Sequence, residues 1–143
     1  MANNLKLIAM SELDINLCKQ LNILIGQLGF DREKIITDPM SSALGYGLEY
    51  TYSVMERIRA AALMQNDPTM QPPIIADMGM YVWKAKETVA PEEELPQWGS
   101  TIERGIAWET VTAVSMIMAG ANLLIMRHPK AVETIRKVIG ELV

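Results

Sequence analysis

Two aspartates, Asp38 and Asp77, each stand directly behind a short run of β-branched and apolar residues. Carboxylates so placed suit two kinds of chemistry: an acid–base or magnesium-binding pair, or hydrogen-bond anchors for a polar ligand. An aspartate also caps a turn through its own backbone, and residue type alone does not separate these uses. Methionine is the second feature, with eleven in the chain. Met10, Met40, Met78 and Met126 all close strand-like runs, so they are expected around one mouth. Thioethers there make an adaptable apolar surface for a large flat ligand or a partner's side chains, and they fill gaps in ordinary cores equally well. Ser41, Gly45 and Gly47 form a small-residue loop where backbone can approach a ligand closely. Arg127 offers a fork for phosphate or carboxylate, or a salt bridge at the rim.

Other chemistry is excluded or left without support. His128, the single histidine, cannot build a multi-histidine metal site and suits an N-cap before Pro129. Cys18, the single cysteine, permits no intrachain disulfide, no structural zinc set and no four-thiolate iron–sulfur cluster. Within a helix it is expected to be a buried, inert thiol. No Gly-Lys-Ser/Thr follows the small-residue loop, so it is not a Walker motif. Spacing selects no Ser/His/Asp triad.

These residues need elements to hold them. Leu5 to Met10 reads as a first strand. Asp14 to Leu28 has apolar residues at Leu17, Leu21, Leu24 and Leu28, a helical spacing. Ser11 and Asp14 match a capping box at its start, and Gly29 suits its C-terminal cap. Lys34 to Thr37 is a second strand, ended by Asp38-Pro39. A helix from about Gly47 to Gln65 places Tyr50, Val54, Ile58 and Ala61 on one side, and Asn66-Asp67-Pro68 stops it. Pro73 to Ala76 is the third strand. From Met78 to Arg104 the chain reads as irregular, with the acidic run Glu92-Glu93-Glu94; a loop of that length is usually a lid or a partner contact. A helix Ile106–Ala119 and a strand Leu123–Met126 follow. The last helix opens at Pro129 and sets Val132, Ile135, Ile139 and Leu142 in register.

Ile- and Leu-rich strands alternating with helices predict an α/β fold with a parallel sheet. About four parallel βα units make half of a (β/α)8 TIM-type barrel. A small open doubly wound sheet is the alternative, although the dinucleotide glycine fingerprint is missing after the first strand. In both architectures ligands bind at the carboxyl ends of the strands.

The chain has 143 residues and a net charge of −4, with half of its residues hydrophobic. This predicts a single domain spanning residues 1–143, argues against disorder, and offers no basic stripe for nucleic acid. The run Thr110–Met126 carries no charge but is short for a spanning helix and is broken by Gly120. The N-terminus lacks the basic and apolar regions of a secretory signal. No membrane partner is expected, and the expected compartment is the cytoplasm.

Three segments carry a family resemblance. Leu13-Asp14-Ile15-Asn16-Leu17 with Lys19-Gln20-Leu21-Asn22 is the first. Ile36-Thr37-Asp38-Pro39 with the highly specific run Ala43-Leu44-Gly45-Tyr46-Gly47-Leu48-Glu49-Tyr50-Thr51-Tyr52 is the second, and Met126-Arg127-His128-Pro129 the third. Together they resemble the small (delta) subunit of the corrinoid iron–sulfur protein, part of the acetyl-CoA decarbonylase/synthase system, and specifically the C-terminal half of its barrel.

The resemblance implies a cobamide held between this subunit and a large (gamma) corrinoid iron–sulfur subunit. The pair passes a methyl group from methyltetrahydropterin to the acetyl-CoA synthase/CO dehydrogenase complex. It also implies that the iron–sulfur cluster belongs to the large subunit, and that this chain is a scaffold and cobamide-face donor with no catalytic residue and no metal of its own. Met10, Ser11, Asp38, Met40, Ser41, Gly45, Tyr46, Asp77, Gly79 and Arg127 would form its cofactor-facing rim. The missing N-terminal half-barrel, or a second copy of the chain, would cover the sheet edges. A self-associating half-barrel and a small-molecule enzyme using Asp38 and Asp77 remain the alternatives.

Overall fold

The structure, a computed structural model, describes residues 5–142. Residues 1–4, part of the stretch read above for a signal, and Val143 at the end of the expected domain lie outside them. Four short strands, β1 (Leu7–Met10), β2 (Ile35–Asp38), β3 (Ile75–Ala76) and β4 (Leu123–Leu124), alternate with helices. The helices are α1 (Ile15–Gln27), α2 (Leu48–Met64), α3 (Gly79–Val82), α4 (Lys86–Val89), α5 (Thr101–Met118) and α6 (Pro129–Leu142). The fold is mixed α/β, with short parallel strands.

Every strand pairing is parallel, and spatial order follows chain order. Leu7 faces Ile35 and Met10 faces Asp38 across β1 and β2, while Ile75 faces Leu123 across β3 and β4. A single bridge, Thr37 to Ile74, joins the two pairs, reinforced by Thr37 N–H donating to the Pro73 carbonyl at 2.8 Å. Consecutive parallel strands need a crossover, and α1, α2 and α5 supply them. No order reversal of the doubly wound kind occurs among the described strands.

Local chemistry explains where the helices begin. Asp14 caps α1, its carboxylate accepting from Asn16 N–H and Leu17 N–H. Ser11 takes no part in that cap, contrary to the capping-box expectation: its Oγ is buried beside the Cys18 thiol. Gly29, at φ +80°, ends α1 in a left-handed turn that closes Phe30 N–H onto the Ile25 carbonyl.

The largest departure lies between Met78 and Arg104, which holds α3, α4 and the first turn of α5. Helix α5 starts at Thr101 because Ser100 and Glu103 form a reciprocal capping box: Glu103 N–H donates to Ser100 Oγ, and Ser100 Oγ–H donates back to the Glu103 carboxylate.

The core lies between α2, α5 and the sheet. Met55, Ile58, Ile74, Ala76, Met78 and Met116 are fully buried. Along α2 the buried face is Leu48, Thr51, Val54, Met55, Ile58, Ala61 and Ala62. Tyr50, expected on that face, instead points to solvent. Asn22 is buried and bonds its amide to Thr37 Oγ and the Thr69 carbonyl, tying α1 to β2 and to the loop after α2.

The two edge strands stay uncovered. Leu7, Ile8 and Met10 on β1, with Leu17, Leu24 and Leu28 beside them on α1, are exposed. At the other edge Leu123, Ile125, Ile139 and Leu142 are exposed. Single apolar residues at a surface are ordinary, but contiguous patches mark contact faces. The register expected for α6 is only half fulfilled on this account: Ile135 is buried and Val132 partly so, whereas Ile139 and Leu142 face outward.

Candidate functional site

The carboxyl ends of β1, β2 and β3 bring several of the predicted residues together. Ser11 N–H donates to the Asp38 carbonyl at 2.9 Å, extending the β1–β2 pairing by one step. Met10 lies opposite Asp38 in register and is largely exposed. Asp38 Oδ1 accepts from Met40 N–H at 3.0 Å, so its turn-capping use is realised. That bond holds Met40 at φ +61°, a conformation rare for a residue with a side chain.

Burial raises the Asp38 carboxyl above its ordinary range, and the charge of Asp77 pushes it the same way. The strands that carry the two aspartates are joined side by side through the Thr37–Ile74 bridge. Cys18 lies below them, nine-tenths or more buried. Burial raises its thiol pKa, the neighbouring Ser11 side chain opposes the rise, and the Asp38 charge adds to it. An inert thiol follows.

The loop after β2 is pinned on both sides. Tyr46 Oη donates to the Glu87 carboxylate and accepts from Lys86 N–H, each at 2.8 Å. The Glu87 bond raises the Tyr46 phenol pKa. On the other side Trp108 Nε1 donates to the Leu44 carbonyl, and Leu44 N–H donates to Thr112 Oγ. Ser41 is buried, and its Oγ has no partner. Met40, Ser41 and Tyr46 line one cavity of about 300 Å³. Gly45 lies apart from them: it is solvent-exposed at φ +79° and lines a different cavity with Leu48 and Tyr52.

A second cluster joins the ends of β3 and β4. Glu109 on α5 is fully buried, although its side chain is acidic. Its two oxygens accept from Arg127 N–H at 2.6 Å and His128 N–H at 3.0 Å, just ahead of α6. The N-terminal end of a helix favours a negative charge, so α6 and Glu109 support each other. Gly79 N–H donates to the Ile125 carbonyl, and a Cβ on Gly79 would stand 3.0–3.2 Å from Ile125 O, Arg127 N and the Glu109 carboxylate. Gly79 is thus required by close packing of the two strand ends.

The Arg127 side chain is exposed and forms no ion pair among the described residues. His128 Nδ1 accepts from Lys130 N–H at 3.2 Å, its expected cap, while its ring stacks on Trp83 at 5.7 Å. Of the four strand-end methionines, Met78 belongs to the core; Met10, Met40 and Met126 keep surface. No group of three or more His, Cys, Asp or Glu suited to a metal occurs among the described residues. None of their helices is long and apolar enough to cross a membrane.

Glu109 is the residue that sequence reasoning missed. Its signal was present: Gly105, Glu109, Thr112 and Met116 share one face of α5, and an acid on a buried face needs a partner. The family described as CO dehydrogenase/acetyl-CoA synthase delta subunit matches residues 1–139. The chain belongs to this family. Subunit delta 2 of the acetyl-CoA decarbonylase/synthase complex of Methanosarcina acetivorans is 40% identical over 136 residues, which is 92% of this chain and 31% of that protein. The corresponding delta subunits of Archaeoglobus fulgidus and Methanocaldococcus jannaschii are 37% and 30% identical, each again over 92% of this chain. The chain spans about a third of the length of these curated relatives.

Proposed function

We propose that this chain serves within an acetyl-CoA decarbonylase/synthase complex as the barrel portion that faces a cobamide, supporting methyl transfer from methyltetrahydropterin without itself supplying a reacting group. One observation carries the proposal beyond family membership. Ser11, Asp38 and Asp77 occupy adjacent strand-end positions, and the buried Ser41 hydroxyl nearby has no partner, which supports this reading.

A corrin ring is broad and apolar, with amide side chains at its edge, and the residues present fit such a guest. Met10 and Met40 would lie against the ring. Ser11, Asp38, Ser41 and Asp77 would bond its amides, with Tyr46, Gly45, Gly79 and Arg127 further out along the rim. The cobalt of the bound cobamide would carry the methyl group. This chain's residues would orient the corrin and keep water from one face. The large gamma subunit would hold the opposite face, and the acetyl-CoA synthase/CO dehydrogenase centre would receive the methyl group. The complex would work in the cytoplasm.

We further propose that the four βα units are half of a (β/α)8 barrel. Parallel strands in unbroken chain order, ending in exposed apolar edges on β1 and β4, support this. The occupant of those edges would be the remaining half-barrel of a longer polypeptide or a second copy of this chain.

The test mixes the chain with a cobamide and the large subunit. A shift of the corrinoid visible spectrum that needs this chain, together with co-elution, supports the proposal. An unchanged spectrum with no co-elution rejects it. Light scattering at micromolar concentration separates the edge occupants: a closed pair has twice the chain mass, whereas a monomer leaves the edges to a different polypeptide.

A further inference from the structure

We infer that the cleft between the β2–α2 loop and α3 is a binding site for a small oxyanion, of the phosphate ester or phosphodiester class. The cavity is about 300 Å³, large enough for a phosphate with a small attached body. Its wall is Met40, Ser41, Ser42 and Tyr46 on one side and Tyr81, Lys84 and Ala85 on the other.

Three donors on this wall are unused. Ser41 is 4% exposed and its hydroxyl has no partner. The Lys84 ammonium has no carboxylate within ion-pairing distance among the described residues. The Tyr81 hydroxyl forms no hydrogen bond among them either, in contrast to Tyr46, whose hydroxyl is doubly occupied. A buried hydroxyl left alone is costly, and native proteins seldom retain one without a ligand or water to satisfy it.

Charge selects the ligand. Lys84 is the one ionised residue on the wall, in a chain whose net charge is −4. Two carboxylates in the adjoining loops are hydrogen-bonded elsewhere, Asp38 to Met40 N–H and Glu87 to Tyr46. A tetrahedral oxyanion can accept from ammonium, hydroxyl and phenol together, and lysine binds phosphate as a point charge. The tyrosine rings and Met40 suit the apolar body attached to it. The backbone has also been committed here: Met40 is held at φ +61°, which turns the chain so that Ser41 faces inward.

This cleft shares Met40, Ser41 and Tyr46 with the proposed cobamide rim, but inorganic phosphate alone is the probe, so the two readings fail separately. Equilibrium dialysis of radiolabelled phosphate against the full chain, at pH 7.5 in a non-phosphate buffer, should give saturable one-to-one binding. Lys84→Met and Ser41→Ala should each weaken it at least tenfold while leaving the circular dichroism spectrum unchanged. Lys137→Met, an exposed lysine paired with Glu133 on α6, should leave it intact.

Two further arms distinguish the sources. Displacement of phosphate by a complete cobamide but not by cobinamide, which lacks the phosphodiester, identifies a corrinoid tail as the natural occupant. Displacement by neither identifies a free phosphorylated molecule. Absence of saturable binding, or binding indifferent to Lys84→Met, overturns the inference.

Discussion

Replacing Glu109 by glutamine tests whether a buried carboxylate fastens the last strand to the last helix. The substitution preserves size and shape but exchanges one acceptor oxygen for an NH2 group. Of the two backbone donors, Arg127 N–H at 2.6 Å and His128 N–H at 3.0 Å, only one keeps an acceptor. The other then faces a donor in a fully buried site. A hydrogen bond to a charged group is worth roughly 1.5–3 kcal/mol, and stranding a buried donor costs about 1–3 kcal/mol. The two overlap, so about 2–4 kcal/mol is expected. For a domain of this size that corresponds to a fall in Tm of roughly 8–15 °C.

Urea denaturation followed by circular dichroism measures the stability change. Native-state hydrogen exchange adds a local readout: the Arg127 and His128 amides should lose protection well beyond the global change, whereas amides of α1 should track it. A Glu109→Gln variant within 0.5 kcal/mol of the parent, with Arg127 and His128 still protected, would refute the role assigned to this carboxylate.

Three further outcomes follow from the same geometry. Gly105→Ala places a Cβ 2.4 Å from the Trp83 ring; it should cost about 1–3 kcal/mol and break the Trp83–His128 stack, visible as a change in tryptophan fluorescence. Asp67 pairs with Lys19 at 2.6 Å and accepts from Thr69, which holds its pKa at about 2, below the ordinary 3.8. Because the folded value is the lower one, the pair stabilises above the unfolded pKa near 4, and its contribution is lost as pH falls through 2. Asp67→Asn should therefore cost about 1 kcal/mol at pH 7, half-exposed Lys19 limiting the gain, and denaturation midpoints of the two proteins should converge below pH 2. Asn22→Ala removes the bonds to Thr37 and Thr69 and strands a buried hydroxyl and carbonyl, so roughly 2 kcal/mol should be lost in thermal denaturation.

Periodicity made the front of the chain legible. The Leu17, Leu21, Leu24 and Leu28 spacing located α1, and Gly29 marked its end, because both signals are local and one residue type carries each. The region after β3 was harder. Gly105 is a poor helix former, and the Ser100–Glu103 capping box that starts α5 was overlooked between an acidic run and Gly99. Tyr50 was misassigned because its spacing to Val54 fits either side of an α2 whose buried face is partly Thr and Ala.

The strand-end positions of Asp38 and Asp77 were legible, because each follows a short apolar run. Glu109 was not, since its partners are the amides of residues 18 and 19 positions away and backbone donors carry no sequence signature. Met78 shows the same limit in reverse: strand-end placement brought it forward, yet packing against α2 and α5 drew it inside.

The edges of the sheet differ from one another, and this has a consequence for assembly. β1 exposes one side of its ladder and β4 the opposite side, so a copy docking on either edge makes a head-to-tail joint rather than a self-matching one. Such a joint leaves one fresh edge at each end of the growing object. Growth stops at two only if sheet curvature returns the free ends to each other; a slightly flatter sheet would add copies without limit. Were a second copy the occupant, substitutions that relax the bend of these strands, even far from any ligand, would convert a closed pair into a filament.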